Sequence, residues 1–205
     1  MSFLSAEEKT RVSEAIAAAE RKTSGEFVAV LAEASAPYLF FPMLWTAVAG
    51  LIVPGALLVA GADWGLLASY ALQIAVFIVA ALICFRDSVR PRLVPKHIRR
   101  ARASEAAYEQ FYLRGIHRTE NHSGVLLFVS AAEHHVEIVA DAGIHANVGE
   151  ERWQAIVDTF TANVKGGHVA DGFTTAAASI GDAMASHYPR AADDVNELPN
   201  GLIEI

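Results

Sequence analysis

Residues 37–85 read PYLFFPMLWTAVAGLIVPGALLVAGADWGLLASYALQIAVFIVAALICF, two apolar runs parted by the short polar knot Asp63-Trp64-Gly65. Neither run, 37–62 nor 66–85, carries a formal charge. About twenty helical residues, each rising about 1.5 Å, cross the roughly 30 Å hydrocarbon core of a bilayer. Two such runs joined by so few residues must turn back, which predicts a transmembrane helical hairpin. Two buried helices in a water-soluble core are the alternative. A chain of 205 residues has too little other sequence to wrap two helices that are apolar on every face. Pro42 and Pro54 are expected to kink the first span. Ala47, Gly50, Ala56 and Ala60 are expected to meet Ala71 and Ala75 across a close helix–helix seam. Gln73 is the one strongly polar side chain at depth, with Thr46 and Ser69 milder. A transport path needs ionisable groups there, so the hairpin reads as an anchor.

The hairpin accounts for a hydrophobic fraction of 53% and a mean hydropathy of +0.31. Charge is placed unevenly. Residues 86–102 hold Arg86, Arg90, Arg92, Lys96, Arg99, Arg100 and Arg102 against Asp87 alone, while the whole chain carries −7. The basic block is therefore local and the remainder strongly acidic, which argues against a nucleic-acid partner. Positive charge beside a span marks the cytoplasmic side. Two crossings then put both termini in the cytoplasm of a bacterial inner membrane, as a multi-pass protein. Each Lys or Arg near an anionic leaflet contributes about 1 kcal/mol, so the basic block should also hold the chain to the lipid surface. Residues 2–26 are charged and amphipathic, unlike a signal peptide. The lone Cys84 excludes an intrachain disulfide and fits a reducing compartment.

Outside the hairpin the elements alternate. Ser5-Ala6-Glu7-Glu8 forms a capping box and opens a helix to about Lys22, stopped by Thr23-Ser24-Gly25. Residues 26–31 (EFVAVL) read as a buried strand. A helix over 96–113 follows the basic block and ends at Gly115. GVLLFVS at 124–130 reads as a strand covered on both faces, and HVEIVAD at 135–141 alternates as a more exposed hairpin partner. Trp153, Ile156, Val157, Phe160 and Val164 mark a helix over 150–165. A last helix, capped by Asp171, carries Phe173, Ala177, Ile180 and Met184. The tail, 190–205, is expected to be only partly ordered. The first strand then reaches the second by a right-handed βαβ crossover with the hairpin inserted in it. Five segments result: residues 1–36, the hairpin 37–85, the basic segment 86–102, the rest of the domain over 96–189, and the tail 190–205.

Candidate chemistry is sparse. Asp141, Asn147, Glu150 and Glu151 cluster between a strand end and a helix start, where an open α/β sheet places ligands. They offer oxygens for Ca2+ or another divalent metal. The competing reading makes Glu150 and Glu151 partners of the helix dipole and Asp141 a turn residue. His117, His122, His134, His135 and His145 suggest zinc, but adjacent His134 and His135 would point to opposite strand faces. Ser123 and Ser130 lack a G-x-S-x-G setting, and Lys165-Gly166-Gly167 lacks P-loop framing.

Several strings together resemble the TPM domain family, and in particular its bacterial membrane-protein branch. They are Thr23-Ser24-Gly25-Glu26, the 124–130 strand, Val136-Glu137-Ile138-Val139-Ala140-Asp141-Ala142-Gly143-Ile144, Trp153, Gly172 and Asn196-Glu197-Leu198-Pro199. The resemblance implies an α/β fold, a small TPM-like α/β/α sandwich with an inserted two-helix transmembrane hairpin. It further implies acid phosphatase activity, calcium binding or an auxiliary role in a membrane complex. This chain departs from typical members in its cytoplasmic placement, in His145-Ala146-Asn147-Val148-Gly149 where others place an aspartate, and in the hairpin that displaces the acidic loop. The expectation is a non-catalytic accessory or regulatory module, partnered by the bilayer and by another membrane protein or a second copy. A divalent-metal-dependent phosphatase is the alternative.

Overall fold

The computed structural model describes residues 4–61, 65–119, 122–191, 198 and 201–205. The Asp63-Trp64 turn and most of the Asn196–Pro199 string, both named above, lie outside the described residues. The chain divides into two compact units, Met1–Ser35 with Ala103–Ile205, and Ala36–Arg102.

The first unit is a four-stranded sheet between helices. Strands β1 (Phe27–Ala32), β2 (Val125–Ser130) and β3 (His135–Ala140) are joined by β4 (Leu202–Glu204). Their order is β3-β2-β1-β4. β1 and β2 run parallel from Phe27↔Val125 to Ala32↔Ser130, and β3 lies antiparallel to β2. Every residue of β1 and β2 is buried, because a two-residue period sends alternate side chains to opposite faces. Phe27, Ala29, Leu31, Val125, Leu127 and Val129 enter one core. There they meet α1 (Ala6–Glu20), α6 (Glu150–Lys165) and α7 (Val169–Ala185). Val28, Val30, Ala32, Leu126 and Phe128 enter the other, with Ala107 and Phe111 of α4 (Lys96–Leu113) and with Ile116. The result is a mixed α/β sandwich of three layers.

Local signals behaved as their chemistry requires. The Ser5–Glu8 capping box is complete, and the Ser5 amide and hydroxyl hold the Glu8 carboxyl below the usual carboxylate range. Thr23-Ser24-Gly25 does more than end α1. Thr23 Oγ1 donates to Tyr188 O at 2.6 Å, and Ser24 N donates to the same carbonyl at 3.1 Å. A Cβ on Gly25 would stand 2.9 Å from Ser123 O, so this approach admits only glycine.

Three expectations need correction, and the tail adds an element. α1 stops at Glu20 rather than Lys22. Asp171 lies in the first turn of α7, whose N-cap is His168. A short helix, α5 (Ala142–Val148), follows β3 in the stretch read only as lying between a strand end and a helix start, with Asp141 as its N-cap. The tail supplies β4, paired in parallel with β1 from Ala29↔Leu202 to Leu31↔Glu204. Its backbone continues the pairing, with Glu33 N donating to Ile205 O at 2.8 Å. Without β4 the outer edge of β1 would keep its amides and carbonyls unpaired inside a core. Removing residues 202–205 is expected to cost about 2 kcal/mol from lost hydrogen bonds and partly buried Leu202 and Ile203. Urea unfolding of the detergent-solubilised chain would read that loss, and amide exchange at Glu33 would accelerate with it.

The second unit carries α2 (Phe40–Val59) and α3 (Gly65–Cys84), each 20 residues long, with mean hydropathies of 1.9 and 2.4 over their most apolar windows. Both are long and apolar enough to cross a membrane. Pro54 lies inside α2, but Pro42 sits in its first turn, where there is no intrahelical donor to lose. The buried face of α2 is Pro42, Thr46, Gly50 and Pro54. Ala47, Ala56, Ala60, Ala71 and Ala75 are exposed, so only Gly50 of the expected small residues lies on the seam. A four-residue ridge set the packing face, with Phe77 of α3 lying over Gly50. Arg90 closes the base of this hairpin. Its guanidinium donates to Pro37 O at 3.3 Å, Phe85 O at 3.2 Å and Asp87 Oδ1 at 2.6 Å.

Candidate functional site

A cavity of about 420 Å³ opens at the carboxyl ends of β1 and β2, the end of an α/β sheet that accepts ligands. Leu31, Val129, Val136, Phe160, Val164 and Val169 supply apolar walls. Phe160 is held by an edge-on contact with Phe173, with centroids 5.0 Å apart. Ser130, Thr161, His134, His135 and Lys165 are the polar lining.

The turn between β2 and β3 shapes this mouth. Ala131 N and Ala132 N donate to Ala32 O and Glu33 O, each at 3.0 Å, so the turn continues the β1–β2 ladder. His134 adopts a left-handed conformation, φ 51°, which is uncommon for a residue with a Cβ. As a result His134 belongs to the turn and not the strand. Both residues border the cavity, but His135 pairs with Glu137, which accepts from Ser104 of α4, so its ring lies on the α4 face of the sheet. His135 Nε2 lies 2.9 Å from Glu137 Oε2. In the same turn the buried Glu133 carboxylate takes two donors. It accepts from Ser35 N at 3.1 and 3.2 Å and from Ser130 Oγ, which itself accepts from Ser35 Oγ at 2.8 Å. This network ties the end of β1 to the end of β2.

The four residues read as metal ligands are placed differently. Asp141 Oδ1 accepts from Ala142 N at 2.7 Å as a helix cap, and Oδ2 lies 3.1 Å from His122 Nδ1. Asn147 Nδ2 donates to Gly143 O at 2.9 Å and to Tyr188 Oη at 3.3 Å. Glu150 and Glu151 occupy the first turn of α6, with Glu150 Oε2 3.8 Å from His145 Nε2. Among the described residues no three Asp, Glu, His or Cys side chains gather closely enough to hold a metal ion. A calcium ion needs six to eight converging oxygens. The donors present do not fit one.

Sequence reasoning missed Ser35, Glu133 and the cavity, because they come together only through the β1–β2 pairing. It also missed a buried acid pair at the opposite end of β1. Glu20 and Glu26 are only 7% and 6% exposed. Burial, reinforced by the charge of Glu26, pushes the Glu20 carboxyl up to about 8, against a donor effect from Phe27 N.

Comparison with known proteins agrees with this architecture. The NMR structure of BA42 protein from the psychrophilic bacterium Bizionia argentinensis is similar to this chain with a TM-score of 0.62 and 20% identity. The match covers 100% of this chain and 97% of that one, and at such identity it speaks for the fold alone. No curated protein matches. A family model described as the TPM domain matches residues 66–183, more than half of the chain. With a sheet and helices of the kind that resemblance implies, the chain belongs to the TPM domain family.

Proposed function

We propose that this chain is a bacterial inner-membrane protein anchored by α2 and α3, with both termini cytoplasmic, and that its TPM unit is a non-catalytic module of a membrane complex. The cavity at the carboxyl ends of β1 and β2 carries this reading. Its walls are mainly apolar, and no carboxylate is among its described lining residues. Such a site favours holding an apolar group over activating water. The basic block supports the membrane placement. Lys96, Arg99 and Arg100 stand in the first turns of α4, where the helix dipole disfavours cations and an anionic lipid surface would offset that cost.

Two experiments test the proposal. Reporter fusions at residue 62 and at the C-terminus are expected to report the outside and the cytoplasm respectively. Cross-linking in membranes, followed by purification of the full chain, is expected to capture another membrane protein or a second copy. Val136→Glu, which places a charge in the cavity wall, should reduce that capture about tenfold. Recovery of no partner, together with phosphomonoester turnover that Asp141→Asn abolishes, would replace this reading with the metal-dependent phosphatase.

A further inference from the structure

The cavity is graded from floor to mouth. Leu31, Val129 and Phe160 are buried at its base, whereas His134 and Lys165 are exposed at its lip. Lys165 brings a full positive charge, and the imidazole of His134 adds a donor. Among the described residues no Asp or Glu is in the cavity lining. Glu137, bonded to His135 Nε2 at 2.9 Å and to Ser104 Oγ of α4 at 3.0 Å, faces the other side of the sheet. The Lys165 ammonium thus meets no carboxylate in the lining and is placed to meet a ligand. A volume of about 420 Å³ lies near the small end of ligand pockets, about 300–1,000 Å³, which suits one alkyl chain better than a two-tailed lipid.

From this grading we infer that the cavity binds a single-chain anionic amphiphile, a free fatty acid, with the chain against Phe160 and Val129 and the carboxylate at Lys165. The inference rests on the proposed binding role of the TPM unit. Each methylene moved out of water improves affinity about fourfold, so the apolar floor supplies most of the binding and Lys165 the selectivity for an anionic head.

The test uses the full chain in phosphatidylcholine nanodiscs. It is irradiated with a diazirine fatty acid, an alkylamine of equal length, or a phosphatidylcholine carrying the diazirine in one acyl chain. Labelled peptides are then mapped by mass spectrometry. The fatty acid is expected to label peptides containing Val136, Phe160 and Val164, and excess dodecanoate should compete. Lys165→Glu should lower that label about fivefold, and Val164→Trp, which fills the cavity, should remove it. Label on α2 and α3 reports probe incorporation in every variant. Equal labelling by the amine, or cavity labelling by the phosphatidylcholine alone, overturns the inference. An unlabelled cavity in a chain whose partner capture still depends on Val136 overturns the fatty acid but leaves the binding module standing. With no cavity label and no capture, both fall.

Discussion

Between about pH 5 and about pH 9 the folded chain is expected to lose stability on account of Glu20, and Glu20→Gln is expected to remove most of that loss. The carboxyl is raised from 4.5 to about 8 by burial and by the charge of Glu26. In this window the native state holds a proton that the unfolded state has released. Stability from the protonated carboxyl is therefore fully present below about 4.5 and disappears as pH rises through about 8. A shift of that size would be worth close to 5 kcal/mol at about 1.4 kcal/mol per unit, and residual solvation reduces it to about 3 kcal/mol. The gap between Glu20→Gln and the parent should widen by that amount from acid to alkaline pH, read by urea unfolding at each pH. Glu26→Gln should narrow the window, because it removes the like charge. A parent whose stability is flat from pH 5 to pH 9 would show that Glu20 is solvated in the native state.

A second large effect is expected at Gly124. A Cβ there would lie on the Ile116 carbonyl oxygen and 2.5 Å from Ile116 Cγ2. Ile116 is fully buried in the core on the α4 side of the sheet. The Gly124 carbonyl also accepts from Asp141 N at 2.9 Å, so the backbone is held on both sides. Close packing leaves no direction in which to yield. Gly124→Ala should cost about 3 kcal/mol, in the range of overpacked cores. Gly149→Ala is the contrast, since its Cβ would meet nothing within 4 Å and suffers only from a φ of 83°. That variant should lose about 1 kcal/mol. Equal losses in urea unfolding would show that steric approach to Ile116 is not what requires a glycine at 124.

How much was legible beforehand follows from the range of each interaction. β1, β2 and the helices over 96–113 and 150–165 were readable because their signals are local: buried β-branched runs, helical spacing, and breakers such as Gly115 and Gly166. β4 was not readable. Three residues cannot show a period, and their reason to be extended is the open edge of a strand some 170 residues earlier, counted from the Ala29↔Leu202 pairing. α5 hid for a similar reason, since seven residues give too few turns to display a stripe. The α2–α3 seam was misread because residue size was used as the guide, whereas the buried positions follow the ridge Pro42, Thr46, Gly50 and Pro54. Candidate ligands Asp141, Asn147, Glu150 and Glu151 are near in sequence, yet α5 intervenes and turns Asp141 into a cap and Asn147 into a donor to Gly143 and Tyr188.

The sequence by itself determined the class of each segment: two uncharged runs of membrane-spanning length, a basic block beside them, and a TPM-type alternation of strands and helices around them. These are properties of composition and period, carried within a few turns of chain. Only the tertiary structure decided which polar groups share a site. The pairing of β1 with β2 brings Ser35 to Glu133, the β2–β3 turn brings His134 to the lip that Lys165 shares, and the packing of α1 on β1 buries Glu20 beside Glu26. Those meetings depend on contacts between residues far apart along the chain, and no local pattern encodes them.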